Sequence, residues 1–132
     1  MVIEINSNSK RQVIDITGEV RKNLAAGAGV VNVFVKHTTA AITTADLDPG
    51  TDLDYLDFLQ AITPNVKWRH PHDPGHAPDH LLASTIGPGV SVPFANGQLL
   101  LGAWQRIILV ELDGPRQRNL ELNVITDQPA ST

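Results

Sequence analysis

Between Pro64 and His80 the chain sets four prolines (Pro64, Pro71, Pro74 and Pro78) among four histidines (His70, His72, His76 and His80). Proline removes a backbone donor and fixes φ, so this stretch cannot run as a continuous regular helix or as a central strand. It is expected to be an ordered loop, with the regular structure built on either side of it. His72, His76 and His80 stand four apart and would share one helical face, but Pro74 and Pro78 fall between them and oppose that helix, so a helical zinc motif is not expected. Convergence of these imidazoles then requires a folded loop, set against His37 at the end of an earlier strand.

On the N-terminal side, Glu4 to Ile16 reads as two short strands around the polar stretch Asn6 to Arg11, and Thr17 offers a side-chain oxygen to cap a helix reaching about Ala26, where Gly27 and Gly29 stop it. Val30 to Lys36 alternates as a half-buried strand, with Val31, Val33 and Val35 on one face. Thr38 to Thr44 is small and β-branched and predicts another strand. Asp48-Pro49 predicts a capped helix start, followed by a broad apolar stripe of Leu53, Tyr55, Leu56, Phe58, Leu59 and Ile62, with Asp52, Asp54 and Asp57 left to solvent.

On the C-terminal side, Asp79 predicts the cap of a short helix, His80 to Ile86, before the Gly87-Pro88-Gly89 break. Val90 to Phe94, Leu99 to Leu101, Ile107 to Leu112 and Leu120 to Ile125 read as strands, with Asn96-Gly97 a hairpin turn. Strands joined by short turns, with two or three helices inserted early, indicate one α+β domain over 1–132: an antiparallel-rich sheet sandwich with its helices on one face. Only the tip, Gln128 to Thr132, is expected to be disordered.

Charge narrows the partners. Ten Lys and Arg against fourteen Asp and Glu give −4, a field that repels phosphate backbones, so nucleic acid is not an expected partner. No stretch approaches the ~20 apolar residues of a membrane span, and the N-terminus lacks a signal-peptide core, which makes the cytoplasm the expected compartment and membrane association unexpected. With no cysteine, disulfides, thiolate metal sites and cysteine nucleophiles are excluded.

Chemistry is therefore expected from imidazole, which titrates near neutrality and binds divalent metals. His80, at a helix start, and His70 are the preferred members of a site, with His76 as a further nitrogen ligand. Asp46 is either a general base or ligand carboxylate, or an ordinary surface acid. Trp104 is more often a core residue than a ligand contact, whereas Gln105 is an amide in an apolar neighbourhood that needs partners. Asp113-Gly114-Pro115-Arg116-Gln117-Arg118 is either a solvent-exposed hairpin tip or a guanidinium fork for phosphate or carboxylate.

Four blocks in order, His37-Thr38-Thr39-Ala40, His70 with Asp79-His80-Leu81, Gly97 to Gln105 and Asp113 to Arg118, closely resemble the YjbQ family, described as secondary thiamine-phosphate synthases. The resemblance covers nearly the whole chain. It implies a sandwich-like subunit assembling as a homotrimer, with a polar site near the histidines and room for a divalent metal, zinc or magnesium. By position His37, His70 and His80 match the family's histidines, and Trp104, Gln105, Arg116 and Arg118 match its C-terminal blocks. Two departures stand out: Ala45-Asp46 where many members carry Asn-Glu, and His76 where many carry an acid or amide. The expectation is a small-molecule enzyme on a phosphorylated substrate. His37, Asp46 and His80 would be catalytic, Trp104, Gln105, Arg116 and Arg118 would bind substrate, and His70, His76 and His80 would ligate the metal. A metal-assisted hydrolase of a small phosphate or amide, and a non-catalytic trimeric metabolite binder, are the alternatives.

Overall fold

The structure is a computed structural model that describes residues 1–127, so the disorder expected for the last five positions lies outside the described residues. Eight strands form two antiparallel sheets. The first holds β1 (Val2–Asn6), β8 (Gln117–Thr126), β3 (Ala28–Val35), β5 (Gly89–Ala95) and β6 (Gln98–Leu99) in that order, and the second holds β2 (Gln12–Asp15), β7 (Gln105–Glu111) and β4 (Ala40–Asp46). Three α-helices accompany them among the described residues: α1 (Thr17–Arg21), α2 (Thr51–Ile62) and α3 (Ala77–Ile86). The expected α+β architecture is present.

Alternation explains the layering. In β3, Val31, Val33 and Val35 point into one core, where they meet Ile42 of β4 and Ile107 and Leu109 of β7, so the two sheets face each other. The intervening β7 residues Ile108 and Val110 enter a second core with Leu59 of α2 and Leu82 and Ala83 of α3. A run as uniformly apolar as Ile107-Ile108-Leu109-Val110 thus feeds two cores, and the second sheet lies between the first sheet and the helices α2 and α3, while Val20 of α1 joins the core between the sheets. The Asn96-Gly97 turn has positive φ at both residues (52° and 73°), as a tight hairpin requires.

Helix starts differ from the expectation. Asp48 does not cap α2; its N–H is held by Asp46 Oδ1 at 3.0 Å, Thr51 N–H reaches its carbonyl at 2.8 Å, and Gly50 is the N-cap at φ 92°. Thr17 does not cap α1 either, since its hydroxyl accepts from Ile107 N–H at 2.8 Å, and α1 ends at Arg21 in tightened turns. On α2, Leu59 is buried while Leu53, Phe58 and Ile62 are exposed, so the apolar stripe is narrower than its spacing suggests. Most relevant to the site, α3 begins at Ala77, before Pro78, after a 3-10 turn over Pro74–His76 whose N-cap Asp73 accepts from Gly75 N–H at 2.9 Å. Pro78 sits in the first turn, where the missing donor would have had no helical acceptor, so the helix expected from His80 with Asp79 as its cap starts three residues earlier, while no helix runs through His72, His76 and His80.

Candidate functional site

The β3–β4 turn carries His37 and Thr38, and α3 carries His80 in its first turns. Between them lies a cleft of about 500 Å³ lined by His37, Thr38, His80, Leu81, Ser84 and Pro88. This volume falls within the range of small-molecule pockets. The proline-bearing segment adds His70, whose ring stacks on His80 with centroids 5.0 Å apart and planes at 11°. His72 meets His70 edge-on at 6.3 Å.

The rings of His37, His70 and His80 are each anchored by one nitrogen, and in the neutral ring that assigns the other. His80 Nδ1 lies 3.2 Å from the Thr38 carbonyl; a carbonyl only accepts, so Nδ1 carries the proton and Nε2 keeps its lone pair. His37 Nε2 accepts from Asn119 N–H at 3.1 Å, and His70 Nδ1 accepts from Asp73 N–H at 3.2 Å. Neutral His37 and His70 are therefore N–H donors at their remaining nitrogens. One imidazole base and two imidazole donors stand in one neighbourhood. Burial, then the charges of Arg118, Arg116 and Lys36, lower the basicity of His37, with Glu111 pulling the other way.

The expected metal set does not form. Among the described residues no group of three ligands includes His70 with His76 and His80; His76 instead gathers with Asp79 and Asp113, their ligand atoms within 4.8 Å of one another. A cation already occupies that cluster, for Lys10 Nζ bonds Asp79 Oδ2 at 2.7 Å and Asp113 Oδ1 at 2.8 Å. Arg11 takes the other oxygen of Asp79 at 2.9 Å, and Arg116 that of Asp113 at 3.0 Å. Burial tends to lower the Lys10 pKa, but hydrogen bonds to Asp113 and Asp79 leave it raised. His70 has also given Nδ1 to the backbone. These donors do not fit a three-ligand divalent ion without displacing an ammonium group.

Other expected members are dispersed. Asp46 ends β4, at the far end of that seven-residue strand from Thr38, and its carboxylate is used by the Asp48 N–H. An extended strand rises about 3.3 Å per residue, so Asp46 does not reach the imidazole cleft in this chain. Its strand partner Gln105 shares that end; the amide is exposed, and its Oε1 accepts from Gly102 N–H at 2.8 Å. Trp104 is 72% exposed and is not a core residue. Arg116 lies at the surface near His37, bonded to Asp113 through Nε and Nη2. Arg118 is a correction: expected to hold substrate phosphate, it is 0% exposed and spent on Glu111 and Thr39. Sequence reasoning missed Thr38, Asn119 and Glu111, which orient the site, and the pairing of Asp79 with Lys10 and Arg11, for which the sequence carries no signal.

Known proteins share this arrangement of chain. The family model described as UPF0047 protein YjbQ-like matches residues 1–127. UPF0047 protein Rv2556c of Mycobacterium tuberculosis is 39% identical over 129 residues, covering 94% of this chain and 96% of that one. UPF0047 protein YugU of Bacillus subtilis is 33% identical over 130 residues, covering 93% and 96%. Among solved structures, hypothetical protein APE1520 of Aeropyrum pernix superposes with a TM-score of 0.88 at 33% identity, covering 96% of this chain and 98% of that one. An uncharacterized conserved protein of the YjbQ/UPF0047 family from Clostridium acetobutylicum gives 0.85 at 34%, covering 95% and 99%. Matched end to end in sequence and in fold, the chain belongs to the YjbQ/UPF0047 family.

Proposed function

We propose that the cleft between the β3–β4 turn and α3 transfers protons on a small phosphorylated substrate, with thiamine-phosphate synthase-like group transfer as its activity. The observation that carries this reading is the fixed tautomer of His80: Nδ1–H donates to the Thr38 carbonyl, leaving Nε2 as a base. Two further imidazoles offer N–H donors, and Arg116 retains guanidinium hydrogens beyond its two bonds to Asp113 for a phosphate oxygen. In this transfer His80 Nε2 takes a proton from the pyrimidine amino group as pyrophosphate leaves the methylene carbon, and returns it as the thiazole nitrogen bonds to that carbon. Donors near the departing oxygens stabilise their charge.

The test supplies purified protein with the aminopyrimidine diphosphate and the thiazole phosphate, and measures thiamine phosphate and pyrophosphate. His80→Ala is expected to lower kcat by about 100-fold or more, with circular dichroism and melting unchanged. No product from the wild-type chain, or equal turnover in His80→Ala, defeats the reading. Recovery of a bound ligand chemically unchanged would favour the metabolite-binder alternative, while metal-assisted hydrolysis would need Lys10 displaced from the His76, Asp79 and Asp113 group. The same reading includes a cytoplasmic homotrimer; no helix among the described residues is long and apolar enough to cross a membrane.

A further inference from the structure

Both cleft imidazoles trace back to two consecutive residues of β8. Asn119 N–H donates to His37 Nε2 at 3.1 Å. Its neighbour Arg118 donates from Nη2 to Thr39 Oγ1 at 2.9 Å and to the Thr39 carbonyl at 3.0 Å, and the adjoining Thr38 carbonyl receives the Nδ1–H of His80. Arg118 and Glu111 are both 0% exposed. They are joined by three contacts, Nε to each carboxylate oxygen and Nη2 to Oε2, and Ser7 Oγ also donates to Glu111 at 2.7 Å. A buried ion pair contributes little net stability relative to apolar residues of similar volume, so stability alone does not account for charge at this depth. Arg118 Nη1, moreover, has no hydrogen-bond partner among the described residues, which leaves part of the guanidinium uncompensated.

We propose that Arg118 is a positioning residue of the cleft: through its bonds to Thr39 it fixes the Thr38-Thr39 segment that sets the His80 tautomer, and it stands as a buried cation near His37. This rests on reading the cleft as a proton-transfer site. Burial acts first on His37, and the charges acting with it come from three parts of the chain: Arg118 in β8 with Arg116 just before that strand, Glu111 at the end of β7, and Lys36 next to His37 in sequence. A neutral His37 is an N–H donor of modest charge that does not compete with His80 for the proton. Arg118 thus acts through its neighbours without touching substrate.

The test reads imidazole nitrogens directly, by NMR of isotope-labelled full-length chain, so its outcome does not depend on any turnover assay. In the wild-type chain His80 is expected as the Nδ1–H tautomer. In Arg118→Met the titration of His37 should move to higher pH, and in Glu111→Gln to lower pH, because the two changes remove opposite charges. Arg118→Lys should hold the His37 titration near its wild-type position while loosening the Thr39 bonds, so that the Nδ1–H form of His80 loses its dominance. If Arg118→Met does not fold, Arg118→Lys and Glu111→Gln carry the test. An unchanged His37 titration in every folded variant overturns the proposal. So does a shift of the same sign in Arg118→Met and Glu111→Gln, or a His80 tautomer indifferent to Arg118. Absence of turnover defeats the proton-transfer reading alone, and the nitrogen spectra still decide this one.

Discussion

Protonation of His37 and of Glu111 is linked to folding in the same direction. His37 is less basic than an ordinary imidazole at 6.5, chiefly through burial and then through the Arg118 and Arg116 charges, so the unfolded chain takes up that proton first. Stability is therefore lost as pH falls below about 6.5, until the folded value is passed. Glu111 is desolvated, but hydrogen bonds from Arg118, Ser7 and the Asp113 N–H outweigh that and hold its pKa below the ordinary 4.5. Its contribution is full above 4.5 and disappears as pH falls through the folded value. Urea midpoints followed from about pH 7 to about pH 4 should decline in two stages, and His37→Gln should flatten the upper one. A wild-type midpoint constant across the upper range contradicts this. The buried pair makes a separate prediction: Arg118→Met alone should cost about 3–5 kcal/mol by orphaning Glu111, and Arg118→Met with Glu111→Leu should recover most of it. Urea unfolding of the single and double variants decides; equal losses would rule it out.

Backbone approach is as restrictive between elements as charge is within them. A Cβ on Gly29 would lie 2.0 Å from the Ile125 carbonyl oxygen, where β3 pairs with β8. Gly29→Ala should therefore part those strands and lower the melting temperature severely, whereas Gly18→Ala, with nothing within 4 Å, should not; comparable melting of the two variants would refute it. The strands were the most legible part of the sequence, because Val31, Val33 and Val35 alternate and Asn96-Gly97 suits only a tight turn. Starts of α2 and α3 were not legible. Asp48 and Asp79 have the composition of caps, but one takes part in a turn closed by Asp46 and the other is 1% exposed between Lys10 and Arg11. Of the candidate site, His70 and His80 were readable because imidazoles concentrate in one segment, and His37 because it follows an alternating strand. The isolation of Asp46 and the enclosure of Arg118 were not, since strand length and sheet pairing decide them.

At the scale of the molecule, the layers are unequally covered. The second sheet has a core on each side, but the first sheet has one core and an open face, on which Val2, Val30, Phe34 and Ile125 are 38–65% exposed. This face is consistent with the proposed homotrimer. Sedimentation velocity is expected to give the mass of three chains, and Ile125→Lys with Phe34→Lys to give that of one; a wild-type chain sedimenting singly removes the assembly. The middle position of β7 has a further consequence. Amide hydrogens from Ile107 to Val110 can meet solvent deuterium only when both neighbouring layers come apart, so their exchange reports opening of the entire subunit. Amides of the histidine-bearing segment, held by few and mostly local bonds, can exchange through small excursions while that central ribbon stays closed, which lets the cleft adjust its walls without risking the fold.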